Sequence, residues 1–156
     1  ITRFDPFALP VAYDFEGDLP EGWLIADGDG DVRLGIIGPE LGAFGKSDFS
    51  GVIDNYFYNA PGERDGLVLP TANVAGKSSL YFAFDYAYTY YDDGDFAAFD
   101  GLEVYVSNDP NASATDLDAY ELVWSKSGEE LATAPMTVFS FIPTFDQWKR
   151  EVIDLS

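Results

Sequence analysis

Between Ser79 and Tyr88 apolar residues fall at every second position. Leu80, Phe82, Phe84, Tyr86 and Tyr88 share one side, and Tyr81, Ala83, Asp85 and Ala87 the other. Period two is the signature of a strand with one buried face, and no helix reproduces it. Gly101 to Ser107 repeats the pattern, with Leu102, Val104 and Val106 set against Glu103 and Tyr105. Tyr120, Leu122 and Trp124 alternate with Glu121, Val123 and Ser125. Met136 to Ile142, Trp148 to Leu155, Val11 to Glu16, Gly22 to Ala26, Val52 to Tyr58 and Leu67 to Leu69 complete the predicted strands. Sustained three-and-four spacing is absent, so helices are not expected. Gly and Pro cluster in turns at 18–22, 59–62, 92–95 and 108–111, and Gly35 to Ser50 reads as a long irregular loop. Short strands with such turns predict an all-β chain, an antiparallel β-sandwich or jelly roll. At 156 residues the chain is expected to form one domain, 1–156.

Charge narrows the partners. Asp and Glu number 28 against 8 Lys and Arg, a net charge of −20. A field this negative repels phosphate, so neither nucleic acid nor anionic lipid is an expected partner. The same charge also suits a saline habitat. No apolar stretch reaches the roughly 18 residues of a membrane span, so membrane insertion is not expected. The chain has no His and no Cys, which removes disulfides, thiolate or imidazole metal sites and His-based triads. Paired carboxylates alone cannot argue for glycoside hydrolysis, because 28 acids make some such pair inevitable. No Lys lies in a nucleophile-activating motif such as S-x-x-K. The expectation is a non-catalytic protein.

Asp27-Gly28-Asp29-Gly30-Asp31 sets three carboxylates at alternate positions with glycines between. Calcium takes six to eight oxygen ligands, and such a loop can offer several. It is not an EF-hand, since Val32 stands at the sixth position and Gly38 at the twelfth. Asp14 and Glu16 could join it, and like charges so close need a counterion. The alternative is a solvated acidic turn. Asp92, Asp93 and Asp95 read either as a charged hairpin tip that discourages edge aggregation or as ligand contacts. Asp100 sits at the mouth of a strand. Tyr88, Tyr90 and Tyr91 either line a sheet face or form a sugar-stacking surface, with Asp93 bonding hydroxyls. Trp23, Trp124 and Trp148 are expected in the core.

Several segments together resemble the choice-of-anchor J family. These are Tyr13-Asp14-Phe15-Glu16-Gly17, Leu19-Pro20-Glu21-Gly22-Trp23, the 27–31 loop, 58–67, 84–88, 99–107 and 147–156. The set is similar to cleaved-adhesin domains of gingipain-type proteins and, more distantly, to MAM-like jelly rolls. The resemblance implies a secreted, bacterial cell-surface module with structural calcium, used in adhesion or ligand binding beside other domains. By position it implies Glu16, Asp27, Asp29 and Asp31 as calcium ligands, with Asp14 and Asp100 beside them. Ligand contacts would come from Tyr88, Tyr90, Tyr91 and Asp93. Expected partners are a surface protein or glycan and neighbouring domains or subunits. Such domains continue past the Trp148–Ser156 segment with further strands. Their loss by fragmentation, a shorter closure, or donation by another chain are the three readings of that difference. Two alternative functions follow, a filament or surface-assembly subunit held by strand donation and an accessory domain of a secreted protease.

Overall fold

A computed structural model describes residues 7–31, 33–57 and 61–156. The described residues are all-β: 34% strand and 9% helical, with a single-turn α1 at Gly128–Leu131 their only α-helix. Twelve strands follow in order: β1 Phe7–Ala8, β2 Leu24–Asp27, β3 Leu34–Ile37, β4 Ser50–Ile53, β5 Asp65–Val68, β6 Ala72–Asn73, β7 Tyr81–Tyr86, β8 Tyr91–Asp92, β9 Ala97–Ala98, β10 Gly101–Val106, β11 Glu121–Ser127 and β12 Lys149–Asp154. They form six two-stranded ladders among the described residues: β1–β6, β2–β5, β3–β4, β7–β12, β8–β9 and β10–β11. All are antiparallel except β1–β6, which is parallel. No helix of the described residues is long and apolar enough to cross a membrane.

The β7–β12 ladder carries two of the three buried hydrophobic residues among those described, Tyr86 and Ile153. Phe82, Phe84 and Tyr86 lie opposite Ile153, Glu151 and Lys149, so these six share one face. Trp124 of β11 packs edge-on against that face, 5.1 Å from Phe84 and 6.0 Å from Tyr86 between ring centres. Edge-to-face rings gain from the ring quadrupole as well as from burial. Tyr86 and Ile153 are buried there, and Leu131 of α1 is buried too. Lys126 binds Glu151 and lies 5.2 Å over the Trp124 ring, so one cation ties β11 to β12. The outer face carries Tyr81, Ala83 and Asp85, as the alternation predicts. There Arg150 donates two 2.7 Å hydrogen bonds to the Asp85 carboxylate.

Five expectations need correction. First, Val11 to Glu16 forms no strand. Phe15 adopts φ 64°, which breaks an extended run, and Glu16 turns to accept hydrogen bonds from the Asp48 and Phe49 amides. Second, Met136 to Ile142 keeps a single bridge, Thr137 to Tyr91. Its partner β8 is two residues long, so Phe139 and Ile142 stay exposed. Third, Gly35 to Ser50 is not all loop, because Leu34–Ile37 pairs with Ser50–Ile53. Fourth, Leu122 is exposed. Val104 pairs with Trp124 and Tyr105 with Leu122, so Val123 is an extra residue. This bulge reverses which side the preceding residues face. Fifth, the predicted strand 52–58 ends at Ile53 and gives way to a turn, and its last residue, Tyr58, lies outside the described residues.

Packing rather than hydrophobicity alone should set the cost of losing a ring. Trp124→Ala is expected to lower unfolding free energy by about 3 kcal/mol. Phe139→Ala, at a ring 73% exposed, is expected to change it by less than about 0.5 kcal/mol. Urea denaturation of both variants checks the contrast.

Candidate metal site and aromatic surface

β2 and β5 end together, with Asp27 directly opposite Asp65. Directly opposed residues project from the same face, with Cβ atoms about 5 Å apart. The chain then turns sharply through 28–31, using φ 90° at Gly30, a conformation that costs glycine little. One Asp27 oxygen organises the turn. It accepts the amides of Gly30 at 2.7 Å and of Asp29 and Asp31 at 3.3 Å. The turn brings Asp31 back, and one carboxylate oxygen each of Asp27, Asp31 and Asp65 lies within 4.8 Å of the others. Asp65 Oδ1 is buried without a hydrogen-bond partner among the described residues. Arg33 donates to Asp31 at 2.7 Å. The three carboxylates could hold a metal ion.

The remaining sequence-predicted ligands fall around this triad or elsewhere. Asp29 stands in the same turn and accepts the Asp31 amide at 3.2 Å. Its carboxyl is pushed up, first by desolvation and then by its hydrogen bond with Asp27. Asp14 accepts the Glu16 amide at 3.3 Å. Glu16 holds the segment leading into β4 through the Asp48 and Phe49 amides. Asp100 immediately precedes β10 and meets Tyr88 rather than the triad. Asp65 was not among the sequence candidates. Its partner lies 38 positions away, and only strand register brings them together.

The tyrosines divide. The Tyr88 hydroxyl donates to Asp100 Oδ2 at 3.3 Å and accepts the Asp100 amide at 2.8 Å. Burial pushes this phenol up to about 12. Thr133 further binds the Tyr88 backbone on both sides. Tyr88 therefore pins the end of the long strand region to the residues after α1. Tyr90 packs on Phe99 at 5.3 Å. Tyr91 instead joins an outer group of rings, 6.5 Å from Tyr56 and 6.2 Å from Phe96, and donates to Asp93 Oδ2 at 2.9 Å.

No protein-family model matches the chain, and neither a curated protein nor a solved structure matches it. The fold and site define an all-β protein with an acidic cluster that could hold a metal ion.

The Tyr88 phenol gives a pH prediction. Its folded value lies above the ordinary 10. Its contribution to stability is whole below pH 10 and is lost as pH rises towards about 12, because the unfolded chain releases the proton first. Tyr88→Phe is expected to flatten the decline of denaturation midpoint across that window. An unchanged slope would place the titrating group elsewhere.

Proposed function

We propose that this chain is a non-catalytic, calcium-stabilised extracellular module for surface adhesion or ligand binding. The observation that carries the reading is the convergence of Asp27, Asp31 and Asp65 at the end of the β2–β5 ladder. Three carboxylates this close repel one another, and a divalent cation relieves the repulsion. An all-oxygen set with no nitrogen or sulfur ligand favours a hard cation such as calcium. Calcium would lock the 27–31 turn to the ladder, and ligand contacts would come from the Tyr91–Asp93 surface. The resemblance to choice-of-anchor J and cleaved-adhesin domains supports the same reading, including a jelly-roll packing of the ladders and a bacterial surface location.

A second reading, a structural subunit of an extracellular assembly, draws on a separate observation. Large apolar side chains such as Phe139, Ile142 and Phe145 stand exposed. Two-stranded ladders also leave strand edges able to pair with another chain. Light scattering of the isolated chain distinguishes the two: self-association favours the subunit, and a stable monomer removes strand donation between copies.

Thermal melts in EDTA, calcium and magnesium test the leading reading. At calcium roughly a hundredfold above its dissociation constant, the midpoint should rise by about 5–10 °C, with little response to magnesium. Asp65→Asn should abolish most of the rise. Equal midpoints in EDTA and calcium would reduce the acidic cluster to a solvated turn.

A further inference from the structure

Four rings form one continuous group on two neighbouring turns, with Tyr56, Phe57 and Phe96 exposed and Tyr91 half-buried. Tyr56 and Phe57 stand in the turn after β4, with centroids 4.9 Å apart and planes at 88°. Tyr91 of β8 lies 6.5 Å from Tyr56 at 56°, and Phe96, just before β9, lies 6.2 Å from Tyr91 at 49°. Phe57 is 78% exposed and Phe96 60%. A soluble surface does not leave such a group in water without consequence.

The mutual tilts decide what these rings suit. A sugar ring stacks on a broad flat aromatic platform, whereas these rings pack on one another at 49–88° and share no common plane. A cation needs no shared platform, because the outward face of each ring attracts it through its quadrupole. The surrounding charge agrees. No Lys or Arg occurs between Lys77 and Lys126, while ten Asp and Glu do. Asp92, Asp93 and Asp95 stand in the hairpin that carries Tyr91 and Phe96, and Asp54 begins the turn that carries Tyr56 and Phe57. Asp93 is also fixed in place. It accepts the Phe96 amide at 2.8 Å, the Asp95 amide at 3.0 Å and the Tyr91 hydroxyl at 2.9 Å. A phenol that donates to a carboxylate gains electron density in its ring, which strengthens its attraction for a cation.

We propose that the Tyr56–Phe57–Tyr91–Phe96 group is a docking site for a lysine- or arginine-bearing segment of a protein partner. The inference rests on the ligand-binding half of the proposed function and is independent of its calcium half. The rings would hold the charged heads, and Asp92 and Asp95 would supply the counter-charge at the rim.

Calorimetric titration with hexalysine tests it, because this probe carries the charge without other recognition features. Phe57→Ser and Phe96→Ser, singly and together, alter the rings and leave the net charge unchanged. Both sites are exposed, and circular dichroism melts verify folding. The double variant should bind hexalysine at least about fivefold more weakly, with calcium-dependent melting unaltered. Equal binding by the double variant and the unaltered chain would overturn the site, leaving only the general attraction of a −20 chain for a polycation. Ring-dependent binding of neutral cellohexaose with no ring-dependent hexalysine binding would overturn it in favour of a glycan. Ring-dependent hexalysine binding in a chain that calcium does not stabilise would uphold the docking site and remove the calcium reading alone.

Discussion

Repulsion between carboxylates at the end of the β2–β5 ladder is the constraint around which the N-terminal half of this chain is arranged. Asp27 and Asp65 face each other across the ladder, and the Gly30 turn returns Asp31 to them. The backbone offsets part of that repulsion. Three amides aim at one Asp27 oxygen, and Arg33 binds Asp31. Amide dipoles and one exposed arginine do not amount to a divalent charge. Asp65, with one oxygen buried and unpartnered among the described residues, bears the remaining cost. A cation at this point would therefore act on the fold as much as on any ligand.

The other half of the chain is held differently. Around β7, β11 and β12 the stabilising contacts are rings, with Trp124 set against Phe84 and Tyr86 and with Lys126 joining the ring stack to Glu151. Arg64, next to Asp65, reaches Glu103 at 3.5 Å and the Tyr105 hydroxyl at 3.3 Å, which links the acidic ladder to β10. Tyr88 and Asp100 form a comparable link between the end of the long strand region and β10.

Local pattern made much of this legible. The alternation in 79–88 correctly separates the faces of β7, because side-chain direction in a strand is a property of neighbouring residues. The 27–31 loop was visible for the same reason, since its carboxylates and glycines are adjacent in the chain. Asp65 was invisible because pairing register is a long-range property. The bulge at Val123 was invisible because one inserted residue leaves the apolar pattern intact while inverting the side that Leu122 presents. Phe15 misled because an apolar residue at φ 64° looks, in sequence, like one more strand position. Among the tyrosines, sequence could not separate Tyr88, committed inward to Asp100, from Tyr91, turned towards the outer rings.

A crystal structure grown with calcium tests the central claim most directly. The account predicts an ion bound by oxygens of Asp27, Asp31 and Asp65 at about 2.3–2.6 Å, with the 27–31 turn closed over it. Carboxylates splayed apart into solvent, with no ion between them, would contradict the account.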